Sequence, residues 1–421
     1  MDWLFSCCIY RLLFIFSEKK KIEIHIEHFV WTLNDFCRGW LIIGQTGSGK
    51  TACAIRTILH ALFRDCPNWG GAVVDQKGQF HEIFAGTAKH YKCEDKLVIL
   101  RVGDVPQVKY NLLSYPGIPW KTYASIIIDT AEAIGLKLEP FWKSTAETLL
   151  GGILEMVAAS RTPTFADLEF YVNTPEELKQ LCTRIIKENK VYSAYLAAEK
   201  VHSFLSLVPE TRDGVLTSTK VIVNCFSDPK IKEVFCPEKN TVDFRDIDQG
   251  KIFIISMSQR YNQERLFFNT FLKLLFMTHA KLRFDDPKNL PGKNLLVFMA
   301  DEAQQVVTSS HRASDYEAVS FIREAKATYI LATQSITSFT PKLKKEDVHA
   351  LVLNLSNKIY FTIPDQDAAE IASKDLGTYQ GVEETKSTGK GGESISRRNV
   401  VKPRYSTGVL RALKKYECVM K

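Results

Sequence analysis

GWLIIGQTGSGKTACAIRTILHALF, residues 39–63, decides the fold. GWLIIG (39–44) is an apolar run that reads as a buried strand, and TACAIRTILHALF (51–63) recurs with helical period. Between them lies the glycine loop GQTGSGKT (44–51). Strand, glycine loop and helix in that order are the setting that a phosphate-binding loop requires. Without side chains at Gly44, Gly47 and Gly49, the backbone can wrap closely and aim its N–H groups at phosphate oxygens. The helix that starts near Lys50 adds the positive end of its dipole. Gln45, Thr46 and Ser48 complete the loop, Lys50 is placed for the β- and γ-phosphates, and the Thr51 hydroxyl for Mg2+. The expected ligands are a nucleoside triphosphate and Mg2+.

Outward from this stretch, KIEIHI (21–26) alternates like a strand, and GAVVDQKGQF (71–80) and LVILRV (97–102) read as further buried strands. From 121 to 228 the pattern turns helical, through YASIIIDTAEAIG, WKSTAETLLGGILEMVAAS, PEELKQLCTRIIKENK and AYLAAEKVHSFLSLV. Strands return at KIFIIS (251–256), LLVFMA (295–300), TYILAT (328–333) and KIYFTI (358–363), with a long helix at 263–282. This order predicts an α/β domain with a mostly parallel sheet, formed by 21–120 and 229–380 and interrupted by an all-α domain at 121–228. Residues 381–404, rich in Gly, Ser and Lys, are expected to be a mobile loop, part of a basic, flexible C-terminal segment at 381–421.

Two further strand ends carry chemistry. In LLVFMADEAQQ (295–305), Asp301 at the strand tip is expected to hold Mg2+ and Glu302 to orient or deprotonate an attacking water. In TYILATQS (328–335), Gln334 is expected beside the γ-phosphate, on the strand next to that of the loop. Arg323, on the predicted helix SDYEAVSFIREAKA, has two readings: a surface or ion-paired residue, or an arginine supplied to a neighbouring subunit's γ-phosphate.

Composition is that of a globular protein, with 45% hydrophobic and 24% charged residues among 421. The ten cysteines lack metal-binding spacing and fit reduced thiols. The net charge of +7 is uneven: residues 121–228 hold 11 Lys/Arg against 14 Asp/Glu, and residues 378–421 hold 10 against 4. Lys386, Lys390, Arg397, Arg398, Lys402 and Arg404 are therefore candidates for a sequence-independent contact with DNA or an anionic membrane. The apolar run 3–16, within a possible membrane-proximal segment at 1–20, is interrupted by Arg11 and too short to span a bilayer alone. It reads as the end of an anchor, an interfacial helix or a packed segment.

GQTGSGKT, VVDQKGQ (73–79), FMADEAQQ and LATQS, with FWKSTAETLL (141–150) inside the helical insertion, together resemble the conjugative coupling proteins of type IV secretion. These are the TraD/TraG-type branch of the HerA–FtsK ATPases, and the resemblance runs from about residue 21 to the end. It implies a RecA-like P-loop fold and a homo-hexameric, ATP-driven DNA pump. Such a pump sits at the cytoplasmic face of the bacterial inner membrane and links a relaxase–DNA complex to the secretion-channel proteins. Asp75, Lys77 and Gly78 match a family element at the second strand, whereas Gln79 departs where the family often has an acid. Arg323 falls where the family carries its arginine finger. The family also has a transmembrane region before the nucleotide domain, to which only 3–16 corresponds here, and the chain ends at YECVMK (416–421) as a strand begins. Rival expectations are a HerA-like DNA-processing motor, a secretion-assembly ATPase, which would place a long domain ahead of the loop, and a nucleotide-dependent cargo adaptor that hydrolyses little.

Overall fold

The computed structural model describes residues 22–78, 80–103, 108–309, 314–389 and 392–421, with the side chains of 385–395 left aside. The expected apolar run 3–16 and Gln79 lie outside the described residues. No helix among the described residues is long and apolar enough to cross a membrane.

Among the described residues, eight strands form one sheet: β3 (Trp40–Ile43), β4 (Gly70–Val74), β5 (Leu97–Val102), β6 (Ile252–Met257), β7 (Leu296–Ala300), β8 (Ala327–Thr333), β9 (Asn357–Tyr360) and β12 (Val419–Met420). Their order is β12-β9-β3-β8-β7-β4-β6-β5, parallel throughout except for the antiparallel pair β12–β9. Two hairpins stand outside it, β1 (Glu23–Ile26) with β2 (Phe29–Thr32), and β10 (Thr378–Gly389) with β11 (Gly392–Pro403). The central strands are apolar runs because both faces of the sheet are covered. Trp40 and Ile42 of β3 pack with Ile58, Leu59 and Leu62 of helix Arg56–Asp65, while Leu41 and Ile43 join the core on the other face. That second core includes helix Asn262–Leu282.

Where the all-α domain is expected, the described residues between β5 and β6 form seven α-helices, from Trp120–Ala133 to Pro229–Phe235. The last of these lies past the expected boundary at 228. Asp228 caps it by accepting the Lys230 N–H, and Pro229 occupies its first turn, both ordinary helix-start chemistry. These helices pack against helix Asn262–Leu282 through phenylalanines: Phe165 and Phe226, 4.4 Å apart, meet Phe267 and Phe268, and Phe165 also meets Phe271, at centroid distances of 5.1–6.2 Å.

Residues 381–404 differ from the loop expected there. Of these, 381–389 and 392–403 form most of the β10–β11 pair, in register from Thr378↔Pro403 to Gly389↔Gly392. Strand-forming Val382, Val400 and Val401 flank a central Gly-Lys-Gly-Gly, which is hairpin chemistry despite the low apolar content.

Candidate nucleotide site

The parallel arrangement brings the carboxyl ends of β3, β8, β7 and β4 side by side, and the loops that leave these ends form the site. The GQTGSGKT loop follows β3. Its Gly44 N–H donates to the Thr333 carbonyl at 3.3 Å, and its Gln45 N–H to the Thr362 carbonyl at 3.0 Å, so strands on both sides hold it. Gly47 (φ +80°) and Gly49 (φ +113°) take conformations that a residue with a Cβ adopts only under strain. Gly49 leads into a π-helical turn, Lys50–Ile55, continued by helix Arg56–Asp65. The Ser48 hydroxyl is buried with no hydrogen-bond partner, an orphan polar atom in a loop built to receive one. Lys50 is buried and folds back, its Nζ donating to the Gly44 and Gln45 carbonyls. Burial pulls its pKa down, against the pull of Asp301 and Glu302.

Asp301 and Glu302 follow β7 directly, and both are buried. The Thr51 hydroxyl lies 3.3 Å from Asp301 Oδ2. Glu302 takes a left-handed backbone (φ +56°) that turns its carboxylate toward β8, where Gln334 Nε2 donates to Oε2 at 3.1 Å. Gln304 Nε2 donates to the same oxygen at 2.6 Å. Lys77, in the loop after β4, reaches Glu302 Oε1 at 2.7 Å and Asp301 Oδ2 at 3.3 Å. Burial would raise the pKa of Glu302. Hydrogen bonds from Lys77, Gln304 and Gln334 outweigh it and hold the carboxyl below its usual range. Glu302 is thus ionised and able to accept a proton.

Asp75, in the same loop as Lys77, does not face these carboxylates. It is fully buried and accepts from the backbone N–H and ring Nδ1 of His81, at 3.1 and 3.0 Å, fixing the start of helix Phe80–His90.

The structure brings together the loop, Thr51, Asp301, Glu302 and Gln334, with Gln334 one residue past the end of β8, the strand beside β3. It does not bring Arg323 to them. Arg323 lies past the end of helix Asp315–Phe321, in the turn before β8, and is exposed. The expected helix stops short because the chain must reverse into β8: Lys326 turns left-handed (φ +53°) and the Ala327 N–H bonds back to the Ile322 carbonyl. The seven residues of β8, about 20 Å at ~3.3 Å per residue, separate Arg323 from Gln334. Lys77 and Gln304 are the site residues to which sequence reading gave no role. Lys77 lies in a matched motif, but only the β4–β7 pairing shows that it meets the carboxylate pair.

This sheet order, with a glycine loop after one strand and an Asp-Glu pair two strands away, defines a RecA-like P-loop fold. Residues 17–404 match the model of the family Type IV secretory system Conjugative DNA transfer, and the chain belongs to that family. That family's description places the chain in conjugative DNA transfer by type IV secretion. The fold agrees with that of the bacterial conjugative coupling protein TrwBdeltaN70 (TM-score 0.70, 17% identity, 96% of this chain and 87% of that one). It also agrees with TrwB solved in complex with ADP and Mg2+ (0.68, 16%, 96% and 86%). VirB4 of Thermoanaerobacter pseudethanolicus is more distant (0.51, 14%, 86% and 88%). Comparison with curated protein sequences gives no match.

Proposed function

We propose that the chain is a Mg2+-dependent ATPase that drives DNA through a ring of six copies toward the secretion channel. The observation that carries this reading is the buried Glu302, which accepts from Lys77, Gln304 and Gln334 and adjoins an Asp301 within reach of Thr51. An adaptor that only binds nucleotide has no use for a strained carboxylate held ready to accept a proton.

The residues fit the ligands expected from the sequence. Lys50 exchanges the loop carbonyls for β- and γ-phosphate oxygens, the loop N–H groups receive the remaining oxygens, and the Ser48 hydroxyl gains a partner. Thr51 and Asp301 would hold Mg2+, a hydroxyl and a carboxylate that suit a small cation that keeps its waters. When bound, the metal neutralises charge on the phosphate oxygens. Glu302 orients the attacking water and takes its proton, and Gln334, bonded to Glu302, transmits the state of the γ-phosphate to β8. Arg323 completes a neighbouring subunit's site. The relaxase–DNA complex and the channel proteins are the expected partners, at the cytoplasmic face of the inner membrane. TrwB solved with ADP and Mg2+ supports the choice of ligands.

Steady-state ATP hydrolysis by the purified chain, with and without DNA and at several protein concentrations, tests the reading. DNA-stimulated turnover that rises with protein concentration and disappears in Lys50→Ala and Glu302→Gln is expected. Turnover indifferent to DNA, or unaffected by Glu302→Gln, overturns it.

A further inference from the structure

The last residues of the chain lie on the phosphate loop, a contact that the site as described leaves without a role. β12 closes the sheet edge against β9. Upstream, the Thr362 hydroxyl donates to the Leu413 carbonyl at 2.7 Å and the Ile363 N–H to the Leu410 carbonyl at 3.2 Å. Residues 410–420 are therefore a strap fixed at both ends beside the loop. In its middle the chain turns sharply. The Lys414 N–H donates to Glu417 Oε2, and the Glu417 N–H to the Lys414 carbonyl, at 2.9 and 3.0 Å. Tyr416 sits in this turn with φ +72°, a costly conformation for a residue with a side chain.

That turn sets Tyr416 against the loop. Its N–H donates to the Ser48 carbonyl at 2.9 Å. Its ring covers Gly49 so closely that a Cβ there would come within 2.7 Å of the ring Cδ1. The residue is still 54% exposed. Lys415 Nζ lies over the ring, 4.9 Å from its centroid, so a flat partner on that face replaces an exposed lysine.

A nucleotide held by its phosphates in such a loop projects its base outward, and an aromatic ring fixed at the loop's edge is a stacking surface for it. Resting on the reading of GQTGSGKT as a triphosphate site, we infer that the strap 410–420 is the base subsite of that site, with the Tyr416 ring stacked on a purine base. A π face accepts any base, so this subsite adds affinity and selects weakly between ATP and GTP. The strain at Tyr416 is the cost of presenting the ring there.

Calorimetric titration of the full chain with ATP, GTP and inorganic tripolyphosphate tests this in four forms: unaltered, Tyr416→Trp, Tyr416→Leu and Lys50→Ala. Leucine keeps an apolar contact with Gly49 but has no ring. In Tyr416→Leu, affinity for ATP and GTP should fall about tenfold or more, with tripolyphosphate affinity unchanged, and Tyr416→Trp should bind both nucleotides as the unaltered chain does. Equal weakening of all three ligands means that the ring only shapes the loop, and overturns the inference. So does ATP affinity indifferent to Tyr416→Leu, or a tryptophan variant as weak as the leucine one. Lys50→Ala should lose all three ligands. If it still binds ATP normally, the triphosphate reading of the loop itself has failed, whatever Tyr416 does.

Discussion

Glu302 joins three constraints in one residue: a left-handed backbone, burial and a full set of donors. A non-glycine residue in that conformation persists only where its surroundings over-determine it. Lys77 is the cationic member of those surroundings and gives the largest downward pull on the Glu302 pKa, opposing burial. Removing it leaves burial less opposed, so the pKa rises. A base must be unprotonated to act, so the acid limb of the pH–rate profile moves with that pKa. Lys77→Met should therefore shift the acid limb of ATP hydrolysis to higher pH, while at alkaline pH the rate recovers toward that of the unaltered chain. A rate loss that is uniform across pH would mean that Lys77 touches substrate and does not set the charge of Glu302. The same sign governs stability. A carboxyl whose folded pKa is depressed contributes stability above its unfolded pKa and loses it as pH falls through the folded value.

Helix Asn262–Leu282 shows the same economy at the scale of an element. Its Lys273 is fully buried and donates to Asp315 Oδ2 at 2.6 Å and to the Thr308 hydroxyl at 2.7 Å. The same Asp315 oxygen accepts the Thr308 N–H at 2.7 Å, so the pair ties the segment after Glu302 to the helix that precedes Arg323. Breaking a buried pair leaves an uncompensated charge: Lys273→Met should cost about 3–5 kcal/mol, read as a lower urea midpoint. Adding Asp315→Asn removes that charge and keeps an acceptor for Thr308, so the double variant should recover most of the loss. A double variant no more stable than the single one would show that the cost lies in packing. The hairpin β10–β11 is the other telling element. Of its basic residues, Arg397 pairs with Glu384 at 2.7 Å and Lys402 with Glu383 at 3.0 Å, while Arg398 and Arg404 are exposed; Lys390 and the side chain of Lys386 lie outside the described residues. If this arm meets DNA, replacing all six with neutral residues should flatten the salt dependence of DNA binding by about one in log–log slope for each phosphate no longer paired. An unchanged slope assigns the arm elsewhere. These elements also show what a sequence makes legible. WLII, GGAVV, LVFMA and ATYILAT announce themselves because a strand covered on both faces must be apolar throughout. The hairpin has no such face, so its few valines were masked by Gly, Ser and Lys. The end of the Arg323 helix was hidden because a left-handed turn at a lysine has no composition signal.

At the scale of the whole molecule, the placement of Arg323 poses the sharpest question. It lies at the amino end of β8, while Gln334, Glu302 and the phosphate loop lie at the carboxyl ends of their strands. A rigid strand between them keeps Arg323 from its own site, so a role in catalysis requires a second copy turned to present one edge to the other. Heterologous contacts of that kind close into rings. In such a ring every working site takes its loop from one subunit and its arginine from the next. Lys50→Ala and Arg323→Ala should each be inactive alone, for different reasons: the first loses its own loop, the second starves a neighbour. Mixed in equal amounts and allowed to exchange subunits, they should regain DNA-stimulated hydrolysis. A site works wherever an Arg323→Ala subunit with an intact loop meets a Lys50→Ala subunit with an intact arginine, so recovery should approach about a quarter of the unaltered rate if mixing is random. A mixture as inactive as its parts, under conditions where exchange is shown by a label, would place Arg323 outside the reaction and return it to the surface role that an exposed arginine otherwise has.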